Sequence, residues 1–250
     1  MKRFVKICAI TGLILLLLGL GITAVSAAMG GRYTNSLPSR LASRVWHNHM
    51  PWLVRWGDDR ADDWDDVAKC MELVQRLHNS GLTVAHEFNI RERIAFYEGL
   101  CAAHGGTRFE DYAEVRSHMN ELMDQLDAMQ RPRVLSHIDS VADNFLFLPD
   151  GSVRLIDWEY AGMCDPLIDL SMCAIYSYYD EAATEKLMQI YFGREPETKE
   201  RKIVYSYIAL GGFLWALWAV YKASLGEEFG EYTLIMYRYA KTYYKKVCLL

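Results

Sequence analysis

The chain has 250 residues, 52% of them hydrophobic and 24% charged, with a formal net charge of −5. That is enough apolar material for one or two buried cores. The acidic balance excludes a general nucleic-acid binder, which would carry a basic face. The six cysteines, at 8, 70, 101, 164, 173 and 248, show neither metal-ligand spacing nor a compact disulfide framework, so they read as buried thiols of a reducing compartment.

The first element is hydrophobic. After the basic start MKRFVK, residues 7–28 carry no charge, a length that spans a bilayer core as one helix. A cleaved signal peptide, with a small-residue site near VSA or SAA, is the rival reading. Residues 29–61 have loop-like and aromatic-rich composition and form a connector. From Asp62 the pattern becomes regular. DDWDDVAKCMELVQRLHNSG places Val67, Met71, Val74 and Leu77 on one helical face, opens on acids and stops near Gly81. IRERIAFYEGLCAAHGG predicts a second helix. FEDYAEVRSHMNELMDQLDAM predicts a third, with Tyr112, Val115, Met119, Leu122, Leu126 and Met129 on its apolar face, ended by Pro132.

The middle of the chain changes character. RVLSH reads as a short strand; NFLFL, PDGS and VRLID read as strand, tight turn and strand. Helices are expected again over about 166–179, 181–192, 197–224 and 231–247. The expected fold is therefore mainly α with one small β-hairpin, over residues 62–250.

The hairpin gathers chemistry. Asn144 begins its first strand and Asp157 ends its second, so an antiparallel pairing brings both to the open end. Asp139 lies on the loop that enters the same end. Mg²⁺ takes hard oxygen ligands, typically one or two carboxylates plus nucleotide phosphates, and a separate carboxylate is needed to accept the proton of an attacking hydroxyl. HIDSVADN has the His-x-Asp and the Asp-to-Asn spacing of the phosphoryl-transfer loop H-R-D-x-x-x-x-N, and LIDWEY stands where a second metal-binding Asp belongs. A solvent-facing, turn-rich loop of acids is the plainer alternative.

With LVQRLHNSGL, HEFNIRERIAFYE, HIDSVADNFLFLPDGSVRLIDWEYAGMCDPLIDLS, YFGREP and FLWALWAVYKASLGEEFGEYTLIMYRYAK, the chain from about residue 62 resembles the choline/ethanolamine kinases of the aminoglycoside phosphotransferase group, bacterial choline kinases above all. The resemblance implies a kinase-like C-terminal lobe that uses ATP and Mg²⁺. It implies Asp139 as catalytic base, Asn144 and Asp157 as metal ligands, and His137 and Asp169 as braces of the loop. It also implies a pocket for a choline-like amino alcohol lined by Glu159, Tyr160, Trp215, Trp218 and Tyr237. Aromatic faces suit a quaternary ammonium, which has no proton to donate. From spacing alone, Trp215 and Trp218 read equally as a packing stripe on one helix face, and Tyr237 and Tyr239 are not separable.

Two departures from the family stand out. Ile138 occupies the position between His and Asp where the family usually has a polar residue, and is expected to face inward. Upstream of Asp62 no glycine-rich strand loop or strand Lys of an ATP-covering N-lobe is readable. Two functions are thus in view. One is an ATP- and Mg²⁺-dependent kinase of choline or a similar alcohol. The other is a truncated, membrane-tethered C-lobe that is inactive or only binds a quaternary ammonium ligand. The expected setting is the cytoplasmic side of a membrane anchored through residues 7–28, or the cytoplasm if that segment is not retained.

Overall fold

The computed structural model describes residues 63–148 and 150–250. The hydrophobic segment 1–28, the connector 29–61 and the question of an ATP-covering lobe all fall outside them. The described residues form seven α-helices and two small antiparallel sheets.

Helix α1 (Trp64–His78) starts where the Asp63 side chain accepts the free amides of Asp65 and Asp66, groups that no intrahelical carbonyl can satisfy. Its buried face is Val67, Met71, Val74 and His78. The expected Leu77 is only half-buried, so His78 takes the innermost last-turn position. The helix ends on Asn79, two residues before Gly81, which adopts φ +68° in the following turn. Asn89 caps α2 (Ile90–Ala103). Helix α3 (Tyr112–Asp127) buries Val115, Met119, Leu122, Met123 and Leu126 as a continuous stripe.

Strand β1 (Val134–Ser136) leads into the acidic loop and pairs antiparallel with β4 (Gly162–Cys164). This second sheet corrects the expectation of a single hairpin. A three-residue strand with no alternation leaves almost no periodic signal, and β4 is extended by a parallel bridge from Glu87 to Met163. The approach is close: a Cβ on Gly162 would lie 2.9 Å from the Phe88 amide nitrogen. The expected hairpin is present, as β2 (Phe145–Phe147) and β3 (Val153–Leu155) in the register Phe145↔Leu155 and Phe147↔Val153. A single 3-10 turn, Ala142–Asn144, precedes β2.

Four helices complete the chain: α4 (Leu167–Tyr176), α5 (Glu181–Phe192), α6 (Thr198–Ser224) and α7 (Tyr232–Leu249). Helix α6 is buried almost all round from Ile203 to Leu217 and packs against α2, α3, α4 and α7. Its length and apolarity would suffice to cross a membrane, but 83% of its most apolar window is buried within the protein, so it is the core helix of the lobe. Gly211 and Gly212 permit that packing. A Cβ at Gly212 would meet the Met236 carbonyl oxygen at 2.6 Å, and one at Gly211 would meet Ile175 at 2.7 Å. Cys101, Cys164 and Cys173 are buried as expected, whereas Cys70 is half-buried and Cys248 exposed.

Candidate active site

The acidic loop hangs between β1 and the 3-10 turn and is fixed from beneath by one carboxylate. Asp169, in the first turn of α4, is wholly buried. Its Oδ2 accepts the His137 amide at 2.9 Å, and its Oδ1 accepts the Ile138 amide at 2.5 Å. The Nε2 of His78 donates to Oδ2 at 2.9 Å, and His78 Nδ1 pairs with the Tyr191 hydroxyl at 2.7 Å. A buried carboxylate needs such partners, because an unpaired one would cost several kcal/mol.

The clamp holds an unusual backbone. Ile138 is wholly buried and adopts φ +73°, a region that a β-branched residue enters at a cost of order 1–3 kcal/mol. It faces inward as expected, and its side chain belongs to the core. His137 ties the loop to the other strand: its Nε2 donates to the Ile156 carbonyl at 2.8 Å, one residue before Asp157. Its ring lies edge-on to Trp158 with centroids 4.9 Å apart, while its Nδ1 is buried without a protein partner.

Asp139 and Asn144 meet directly. The Asn144 amide nitrogen donates to the Asp139 carbonyl at 2.8 Å and to its carboxylate Oδ2 at 3.0 Å. The Tyr176 hydroxyl lies within electrostatic reach of the Asp139 carboxylate. Burial pushes the Asp139 carboxyl above the ordinary carboxylate value. The Asn144 hydrogen bond, the Tyr176 hydroxyl and the His137 ring pull it down less strongly, and the nearby Asp157 pushes it up further. Asp157 sits at φ +63° just beyond β3, where the Ile156 amide still bonds the Asn144 carbonyl at 3.0 Å. Its side chain is exposed.

This donor set suits a hard divalent cation. Asn144 uses its nitrogen inward, which leaves the Oδ1 for a metal, and Asp157 adds a solvent-facing carboxylate. Among the described residues no cluster of three or more His, Cys, Asp and Glu could form a cage. Mg²⁺ does not need one, since it binds through few protein oxygens and completes its shell with phosphates and water.

An aromatic wall adjoins the acid. Trp215 contacts Tyr160 (5.8 Å between centroids), Tyr176 (5.7 Å) and Trp218 (6.1 Å). Trp218 in turn meets Phe229 at 4.7 Å and Tyr232 at 6.3 Å. Burial raises the hydroxyl pKa of Tyr160, to about 12, and those of Tyr176 and Tyr232. The Asp139 charge adds to all three, which locates the wall within electrostatic reach of the carboxylate. Trp215 is only 4% exposed and donates its indole N–H to the Met172 sulfur at 3.3 Å, so it backs the wall, while half-buried Trp218 and Tyr160 offer accessible faces. Glu159 is exposed beside them, and the Arg93 guanidinium already lies 5.6 Å from the Tyr160 ring centre.

Tyr237 belongs elsewhere. It stacks on Phe109 at 3.7 Å and its hydroxyl donates to Asp111 at 3.0 Å. Tyr239 donates to the Tyr179 carbonyl. The tyrosine that joins Trp218 from α7 is Tyr232, which the sequence reading missed, as it missed Tyr176 and His78. A signal for two of these was present. His78 follows Val74 by four residues on the buried face, and Tyr176 follows Asp169 by seven, two turns along the same face of α4.

Residues 38–201 match the model of the phosphotransferase enzyme family. Protein LicA of Haemophilus influenzae is 29% identical over 179 residues, which cover 67% of this chain and 51% of that protein. The crystal structure of choline kinase LicA from Streptococcus pneumoniae superposes with a TM-score of 0.65 at 30% identity, covering 74% of this chain and 66% of the other. A crystal structure of LicA in complex with AMP gives the same TM-score at 28% identity, with 77% and 65% covered. The chain thus spans about half the length of the Haemophilus protein, and the described lobe has the kinase-like fold of these neighbours.

Proposed function

Since the chain belongs to the phosphotransferase enzyme family, we propose that it transfers the terminal phosphoryl group of ATP to the hydroxyl of choline or a related small amino alcohol. The observation that carries this reading is the hydrogen bond that joins Asp139 to Asn144, beside an aromatic wall of Tyr160, Tyr176, Trp215 and Trp218. The choline kinase and the AMP complex among the structural neighbours support the choice of alcohol and of nucleotide.

In this mechanism the cationic head of the alcohol rests on the faces of Trp218 and Tyr160, held by cation–π attraction and by the Glu159 charge. The hydroxyl then reaches Asp139, which accepts its proton as the oxygen–phosphorus bond forms and the bond to ADP breaks. Asn144 holds the Asp139 carboxylate in line. Mg²⁺, held by the Asn144 Oδ1 and Asp157, would neutralise the phosphate charge. Use of ATP places this domain on the cytoplasmic side of any membrane to which residues 7–28 anchor it.

Phosphocholine formation by the purified chain with Mg²⁺ and ATP tests the reading, with ethanolamine as the competing substrate. Asp139→Ala is expected to lower kcat by at least about 10²-fold. Background rates in both the native chain and the variant would sink it. Choline binding without turnover would instead identify a C-lobe that only holds a quaternary ammonium ligand.

A further inference from the structure

Helix α2 also approaches the aromatic wall. Arg93 stands in its first turn, with Tyr97 one turn later on the same face. The Arg93 guanidinium lies 5.6 Å from the Tyr160 ring centre and 6.0 Å from that of Phe96. The residue is half-buried, yet among the described residues its side chain has no ion pair and no hydrogen bond. Glu159 and Asp139 act on the same Tyr160 hydroxyl, but neither lies within ion-pair distance of Arg93. Lys222 is different. Its Nζ stands 5.9 Å from the Trp218 ring centre and is paired with Glu227 at 3.2 Å. Lys222 thus presents little net charge to the wall, whereas Arg93 presents a whole one.

We propose that Arg93 is a specificity-determining residue of the alcohol pocket: its guanidinium competes with a methylated ammonium for the Tyr160 ring and so narrows the preference for quaternary over primary amino alcohols. The proposal rests on the reading above of Tyr160 and Trp218 as the ammonium site. An aromatic face attracts a cation, but a second cation beside the first is repelled by it, and salt screens a half-buried charge poorly. A quaternary ammonium feels this competition in full, because it has no proton to donate and depends on ring faces. A primary ammonium carries three donors, which the Glu159 carboxylate can accept, so it depends less on the Tyr160 ring.

Titration calorimetry on the full chain tests this with tetramethylammonium and methylammonium, two cations that lack the hydroxyl and so report the ammonium site alone. Arg93→Met keeps an unbranched apolar stem and removes the charge. It is expected to bind tetramethylammonium roughly five-fold more tightly than the native chain, with methylammonium nearly unchanged. Arg93→Lys keeps a charge and is expected to stay within about two-fold of native for both cations. In turnover, the ratio of kcat/KM for choline to that for ethanolamine is expected to rise in Arg93→Met by a similar factor.

An Arg93→Met chain that binds tetramethylammonium no more tightly than native overturns the proposal. So does an equal gain for both cations, and so does an equal gain in Arg93→Met and Arg93→Lys, which would make the effect one of space rather than charge. Binding of neither cation by any of the three chains removes the ammonium site, and the proposal with it. The phosphotransferase reading is decided separately. Phosphate transfer with an unmoved tetramethylammonium affinity leaves that reading standing without this role for Arg93. Selective tightening without phosphate transfer leaves the role of Arg93 standing in a lobe that only binds.

Discussion

Asp139 is kept in a place that disfavours its charge. Its carboxyl is raised above the usual value, mainly by burial. An acid raised in the folded state favours folding while it is protonated, and that contribution is lost as pH rises through the raised value. At neutral pH its ionised form is thus a net cost to stability, a cost that the proposed role as base would account for. Asp139→Asn is expected to abolish phosphotransfer and yet to melt higher than the native chain at pH 7. The rise would be on the order of 2–4 °C per kcal/mol recovered. Below about pH 3, where both folded and unfolded forms of the native acid are mostly protonated, the difference should vanish. Calorimetry at the two pH values checks this, and a variant that melts lower at pH 7 would mean that the lost hydrogen bonds outweigh burial. Asp139, Asn144 and Asp157 were legible as a spaced set in HIDSVADN and LIDW, whereas His137 and Asp169 were implied as braces only by the family resemblance. Tyr237 was not separable from its neighbours on α7, because tyrosines crowd that helix and only the packing of α7 on Phe109 and Asp111 shows which way it turns.

At the scale of elements, the helices were legible to within a few residues and the second sheet was not. Helices of ten to twenty-seven residues repeat their apolar face several times, so the period survives in the sequence. Strands β1 and β4 have three residues each, too few for alternation to register, and their pairing depends on a partner twenty-eight positions away. The contact of α6 with α7 is equally invisible locally. It depends on Gly212, where a Cβ would press on the Met236 carbonyl and the Ala240 amide nitrogen, backbone atoms that cannot rotate aside. Gly212→Ala is therefore expected to destabilise by about 1–3 kcal/mol through overpacking, although alanine is the better helix former by about 1 kcal/mol. Urea unfolding measures it; a neutral or stabilising effect would show that α7 shifts freely.

For the described lobe as a whole, α6 is the common partner of α2, α3, α4 and α7. An element packed by four others should open only when the lobe unfolds. Amide exchange within 203–217 is expected to be limited by global unfolding, whereas the turn 225–231, with Leu225 exposed and Gly226 and Gly230 at positive φ, should exchange orders of magnitude faster. Exchange mass spectrometry decides, and comparable protection in both segments would remove α6 from its central place. The same arrangement explains why this helix passes a composition test for a membrane span: a helix covered on every side by protein and one covered by lipid need the same apolar surface.

By itself the sequence determined the mainly helical lobe, the hairpin that draws Asn144 and Asp157 together, and the acids that frame the loop before it. These rest on periods and spacings, which are local. Only the tertiary structure decided that His78 backs the Asp169 carboxylate beneath the loop, that Trp215 backs the wall while Trp218 stays half-buried, and that Tyr176 packs on Trp215. Each of those depends on elements far apart in the chain meeting through side chains, and contact of that kind leaves no periodic trace in the order of residues.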